Sequence, residues 1–305
     1  GVGRWARWAW PRAGVRLLSS AAKLPPGGFP PDPPIDNPFY RQIAADPRPG
    51  SVFELPINRF NNQWVDMAAQ THHQRPILYG GLARPVPRPP FERMTLFREL
   101  EYPAQLPDIV RQSAEERRAV LRYFDLRFLA YHRQNENGPL QPPQAEELAR
   151  AAAVAVAQIY SDDELVGFVL DAPTGPAVLP PFLSIASGWY DREPTGAGVQ
   201  RWLRAEGGIL ELYMPQAAPV VLQMSLVAFE QPHDLAILHD GVELSRITAQ
   251  PWPTEITTVP LELPAGDLRL QLLPLGSGIA PRDLGMGDDP RPLTVALRSI
   301  AVGAP

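Results

Sequence analysis

Residues 219–275 read PVVLQMSLVAFEQPHDLAILHDGVELSRITAQPWPTEITTVPLELPAGDLRLQLLPL, and this stretch decides the fold. Apolar residues recur at alternate positions or in short runs through PVVLQMSLVAF (219–229), DLAILHDGVELSRI (234–247), TEITTVPLEL (254–263) and DLRLQLLPL (267–275). That is the period of a strand with one face turned to a core. Turn residues divide the runs, His239-Asp240-Gly241 and Pro264-Ala265-Gly266-Asp267. Asp-Gly between two such runs signals a two-residue hairpin, whose turn needs positive φ at both central residues. PLTVALRSIAV (292–302) adds a last strand after a loop from Gly285 to Pro290. Seven or so antiparallel strands over about 182–303 predict a β-sandwich domain, jelly-roll or immunoglobulin-like in outline.

Upstream, over residues 36–175, the pattern alternates. SVFELPI (51–57), RPILYGG (75–81), RFLAYHR (127–133) and ELVGFVLDA (164–172) read as strands. PDIVRQSAEERRAVLRYFDL (107–126) reads as a helix opened by Pro107 and Asp108, and AEELARAAAVAVAQIY (145–160) as a second with Glu146 and Glu147 at its positive end. This order predicts a small α/β domain with a largely parallel sheet, joined to the sandwich through APTGPAVLPP (172–181). The chain is thus expected to be multidomain, α/β plus all-β. Residues 1–35 stand apart. Arg4, Arg7, Arg12 and Arg16 interleave with Trp5, Trp8 and Trp10, a mixture suited to a membrane interface, and LPPGGFPPDPPIDNP follows as an extended stalk.

Composition narrows the function. The net charge of −5 excludes the basic face that a nucleic-acid binder needs. Cysteine is absent, which removes disulfides, Cys-ligated metals and thiol nucleophiles. The 38 prolines in 305 residues, against average usage of about 5%, favour extended segments and turns over long helices. No apolar run approaches the ~18 residues that span a bilayer. The chain contains no G-x-S-x-G, H-E-x-x-H or phosphate-loop motif, and GSGIAP (276–281) departs from the dinucleotide fingerprint at its last position. No catalytic residue and no cofactor are assigned.

Three clusters are candidates for binding. Trp189, Tyr190 and Trp202, with Arg192, Glu193 and Arg201, fall where the sandwich begins. Aromatic faces stack on a pyranose while charged neighbours bond its hydroxyls, so Trp189, Tyr190, Glu193, Arg201 and Trp202 form a candidate carbohydrate site. The alternative is that both tryptophans plug the sandwich end while Arg201 pairs with Glu193. Asp283, Asp288 and Asp289 lie in RDLGMGDDPR and could supply the oxygens calcium takes, but their spacing matches no EF-hand, so a solvated acidic turn is the better reading. His72-His73 offers two imidazoles without a third ligand at helical spacing, which also describes a hydrogen-bonded pair.

Four segments taken in series carry a resemblance. FYRQIAADPRPGSVFELPI (39–57), WVDMAAQTHHQRPILYGGLAR (64–84), AVLRYFDLRFLAYHR (119–133) and GWYDRE…RWLRAEG…DDPRPLTVALRSIAV (188–302) resemble the extracytoplasmic C-terminal region of bacterial polytopic membrane glycosyltransferase-like proteins of the GT-C type. Glu54, Leu55 and Pro56 match that family's first motif. Met67, Gln70, Thr71, His73, Pro76, Ile77, Gly80, Leu82 and Arg84 match its second. The resemblance implies a membrane-associated, extracytoplasmic module that positions or binds glycan or lipid-linked sugar, with His73 and Arg84 facing that site and the sandwich gripping carbohydrate. Catalysis would belong to membrane residues outside this sequence. The N-terminus would then meet a membrane protein or the membrane surface. The alternative is a structural or interaction protein of the cell envelope, acting through its sandwich. A self-contained hydrolase lacks a motif pairing its best carboxylates, Glu54 and Asp66.

Overall fold

Asn37 accepts a hydrogen bond from the Phe39 N–H (2.8 Å), which caps α1, Pro38–Ala45. The computed structural model describes residues 37–55, 69–78, 93–101, 108–135, 138–139, 153–170, 178–196 and 198–305. The terminus and stalk expected over 1–35, Arg84, and the first half of the helix expected over 145–160 lie outside the described residues. Ile35–Pro305 forms one compact unit.

Strand β1 is Ser51–Leu55. Helices α2, Thr95–Glu101, and α3, Ala114–Tyr123, precede β2, Leu126–His132. A ribbon of β3, Gln134–Asn135, and β4, Gly138–Pro139, leads on to β5, Ala155–Ser161, and β6, Leu165–Leu170. The sheet order is β1-β2-β6-β5. Phe39, Tyr40 and Ile43 of α1 pack on one face with Val52, Phe128 and Ala130. Leu96 and Phe97 of α2 and Val120 and Leu121 of α3 pack on the other with Phe53, Leu55, Leu129 and Tyr131. Both faces are covered, so β1 and β2 are buried on both sides and are mainly apolar, with Ser51, Glu54, Arg127 and His132 as the polar exceptions.

Four expectations for this part need correction. The sheet is not largely parallel: β1 and β2 are parallel, whereas β2–β6 and β5–β6 are antiparallel. The reason is local. Asp162 Oδ1 accepts from the N–H groups of Glu164 and Leu165, closing a tight turn that returns β5 directly into β6. The C-terminal half of the expected alanine-rich helix is therefore strand β5, with Ile159 and Tyr160 facing α1. The helix expected from Pro107 starts at Ala114, where Ser113 and Glu116 exchange capping-box hydrogen bonds (3.2 and 2.6 Å). Of the strand expected over 75–81, the described residues 75–78 form a single parallel bridge, Val52 to Ile77, and 79–81 lie outside the described residues.

The β-sandwich follows as β7 (Phe182–Ile185), β8 (Glu193–Thr195), β9 (Gly198–Trp202), β10 (Gly208–Met214), β11 (Ala218–Ala228), β12 (His233–His239), β13 (Val242–Ala249), β14 (Thr254–Thr257), β15 (Leu261–Leu263), β16 (Gly266–Leu275) and β17 (Val295–Gly303). Sheets ordered β13-β12-β16-β10-β7 and β14-β11-β17-β9-β8 face each other over Leu210, Leu212, Leu222, Leu235, Ile237, Leu270, Leu272, Leu297 and Ile300. The expected hairpin turns at Asp240 (φ 49) and Gly241 (φ 78), the backbone sign that its sequence requires. The α/β part and the sandwich are joined covalently and by contact. Asp108 takes two 2.8 Å hydrogen bonds from Arg201, and the N–H groups of Arg111 and Ile300 bond across to Ile300 and Ile109 (2.8 Å each).

Candidate functional site

Strand registers place one set of loops at a single end of the sandwich. β11 ends opposite the start of β17, β12 starts opposite the end of β16, and β13 ends opposite the start of β12. Residues 186–192, 203–207, 229–232, 250–253 and 276–294 gather there. Hydrogen bonds from the N–H groups of Ala228 to Gln250 (2.7 Å), Phe229 to Thr294 (2.7 Å) and Arg204 to Gly188 (3.0 Å) lace these loops together.

The aromatic cluster expected from sequence stands at this end, but turned inward. Trp189 and Trp202 are each 7% exposed. The Trp189 indole N–H donates to the carbonyl of Ile209 (3.1 Å), and its ring lies against Gly208, where any Cβ would collide. The Trp202 N–H donates to Glu193 Oε2 (2.9 Å), and its ring meets Phe229 edge-on at 5.9 Å. Neither ring has a face free for a sugar; both are core. Arg201 does not pair with Glu193: it is committed to Asp108. Burial pushes the Asp108 carboxyl up, but the hydrogen bonds from Arg201 and the Ile109 N–H outweigh it and hold the group below the usual range. Tyr190 alone of the three aromatics is half-exposed, with the guanidinium groups of Arg204 and Arg291 each 5.1 Å from its ring centre.

Glu193 and the acidic loop meet through Arg291, which lies 2.6 Å from Glu193 and 2.5 Å from Asp289. Asp289 is thereby held low, at about 2, by those guanidinium hydrogen bonds. Asp283 and Asp288 remain exposed, and Asp283 is 3.5 Å from Arg282. The three aspartates do not converge, and among the described residues no group of three His, Cys, Asp or Glu is placed to hold a metal ion.

Sequence reasoning missed the residue best presented for stacking. Trp252 is 60% exposed, on the turn between β13 and β14. Pro251 and Pro253 flank it, and Thr254 Oγ1 donates to its carbonyl (3.1 Å), so the ring projects from a fixed backbone. Glu230 and Gln231, both exposed, lie on the adjoining loop. The signal was the sequence PWP itself, a tryptophan in a turn where no core position falls.

The family-motif residues meet elsewhere, on the α1 face of the four-stranded sheet. Glu54, 4% exposed, lies at the carboxyl end of β1. Its Oε2 is 2.7 Å from His132 Nε2 and accepts from the Tyr40 hydroxyl at 3.2 Å. The Tyr40 ring lies 5.5 Å from that of His73, which is 2% exposed. His73 Nδ1 accepts the Arg75 N–H (3.0 Å), which puts the proton of the neutral ring on Nε2. Gln70 Nε2 donates to the Arg75 carbonyl (3.0 Å), and Thr71 is exposed. Tyr40 thus links Glu54 to His73; Tyr40, His132 and Arg75 carried no motif signal. Among the described residues no helix is long and apolar enough to cross a membrane.

No protein-family model matches the chain, and no curated protein does. Among solved structures, similarity is found to β-sandwich carbohydrate-binding modules. The module from Cellvibrio mixtus lichenase 5A, in complex with cellotriose, is 13% identical, covers 39% of this chain and 88% of that one, and gives a TM-score of 0.27. The C-terminal family 6 module of a laminarinase from Zobellia galactanivorans is 10% identical over 40% of this chain and 98% of that one, with a TM-score of 0.28. A family 36 module in complex with calcium and xylotriose is 15% identical over 40% and 92%, with a TM-score of 0.26. At this identity and TM-score no residue role is carried across.

Proposed function

We propose that the chain is a non-catalytic glycan-binding module that works outside the cytoplasm beside a membrane glycosyltransferase, and that glycan binds at the loop end of the sandwich on Trp252. The observation that carries this reading is the exposed Trp252 ring, held between two prolines at the end of a packed scaffold. A tryptophan face offers a pyranose both apolar contact and a π surface, and Glu230 and Gln231 on the next loop suit its hydroxyls. Stacking contributes about 1–2 kcal/mol, which with a few hydrogen bonds gives millimolar to high-micromolar affinity. The placement beside a membrane enzyme is supported by the series of motifs around Glu54, His73 and the terminal sandwich.

A glycan array probed with the purified chain tests this reading. Retention of a defined glycan class, lost in Trp252→Ala with unchanged thermal stability, is expected. Retention of none, or equal retention by the variant, counts against it. A second reading, a protein-interaction module of the cell envelope, is favoured by Leu284 (46% exposed) and Met286 (57%) on the same sandwich end. A double substitution of those two residues that abolishes capture of an envelope protein, with glycan binding absent, would select it.

A further inference from the structure

We propose that the groove between α2 and α3 binds a small amphiphilic anion, an oxyanion carried on an apolar arm. The groove has a volume of about 280 Å³, near the lower limit for a small-molecule site. Leu96 and Leu100 of α2 form one wall and Val154, just before β5, another; Glu99, Arg111 and Arg117 supply the charge. Glu99 and Arg117 neutralise each other at 2.6 Å. Arg111 stands differently. Among the described residues its guanidinium meets no carboxylate, and the described lining of the groove holds two arginines to one glutamate.

The root of Arg111 is fixed, because its N–H donates to the Ile300 carbonyl (2.8 Å) in the segment that docks on the sandwich. Its side chain is exposed, so it reaches an incoming ligand without leaving an internal partner. A guanidinium offers two parallel N–H groups to the two oxygens of a phosphate or carboxylate, a fit that a neutral head group lacks. The apolar arm would displace water from the half-exposed Val154 and the exposed Ala153, over a floor closed by the buried Leu96 and Leu100. This site is separate from the loop end of the sandwich and stands whether or not glycan binds there.

Titration of the whole chain with octyl phosphate, octanoate and octanol, followed by calorimetry, tests the assignment. Saturable binding of at least one of the two anions, at least tenfold tighter than octanol, is expected, and the stronger anion identifies the oxyanion. Arg111→Gln should weaken that binding about tenfold with the fold intact, while Trp252→Ala leaves it unchanged. Octanol binding as tightly as the anions, unaltered binding by Arg111→Gln, or no saturable binding of any probe overturns it.

Discussion

Arg75, 8% exposed, is heavily used among the described side chains of the α/β part. Its guanidinium donates to the carbonyls of Ile43, Arg48, Gly50 and Asp46 at 2.5–3.4 Å and lies 4.7 Å from the Phe128 ring centre. A lysine has one compact charge and cannot reach four carbonyls set around a planar fork. Arg75→Lys is therefore expected to cost about 2–3 kcal/mol in urea unfolding, since each charge-assisted bond contributes roughly 1.5–3 kcal/mol and the lysine keeps part of the set; a loss under half of that would contradict this role. His73, beside it, makes a pH prediction. Burial, with the Arg75 charge in support, lowers its pKa to about 4. The unfolded chain titrates near 6.5, so between those values it takes a proton that the native state refuses. Stability is then full above about pH 6.5 and falls toward pH 4 by up to about 3 kcal/mol, with buried His233 acting in the same direction. His73→Gln keeps an acceptor for the Arg75 N–H and does not titrate; its stability between pH 7.5 and 4.5 should fall less steeply than that of the wild type. Equal slopes would show that His73 is not the source.

Among the elements, the strands that alternate cleanly were legible, and those whose fate depends on a partner were not. The Asp240-Gly241 turn fixes its hairpin from sequence alone, because only residues tolerant of positive φ close it. β5 was read as helix since alanine favours helix locally, while the Asp162 turn and pairing with β6 decide otherwise. Asp108 looked like a helix start, yet its carboxylate is taken by Arg201, 93 positions away, and the helix waits for Ser113. Of the sites, the aromatic cluster was found with both orientations open, since period-two patterning does not say whether Trp189 and Trp202 face inward at the domain's entrance; the structure takes the plugged one for the tryptophans, with Arg201 on Asp108 rather than Glu193. Gly167 of β6 carries an element-scale prediction. A Cβ there would sit inside the Phe39 ring of α1, so Gly167→Ala should detach that helix. Overpacking of this kind costs about 1–3 kcal/mol. Faster amide exchange over Pro38–Ala45 would report it, and wild-type protection there would refute it.

At the scale of the molecule, the α/β part and the sandwich behave as one body around Asp108–Arg201 and the strand-like contact of Ile109 and Arg111 with Ile300. Asp108→Asn should lower the unfolding free energy by about 3–5 kcal/mol, because Arg201 is left half-buried without its anion. Separate melting of the sandwich in calorimetry would show that the two parts are independent instead. With the scaffold fixed in this way, binding is assigned to the loops at its end, where Trp252 projects and Trp189 and Trp202 do not. Each of the seven tryptophans gives its own indole N–H signal in a ¹H–¹⁵N NMR spectrum, so a glycan titration reads them individually. The Trp252 signal should move progressively and saturate with a Kd between high micromolar and millimolar, while those of Trp189 and Trp202 stay in place. If glycan shifts Trp189 or Trp202 first, or if no glycan moves Trp252, the site has been put in the wrong place and the glycan-binding account fails.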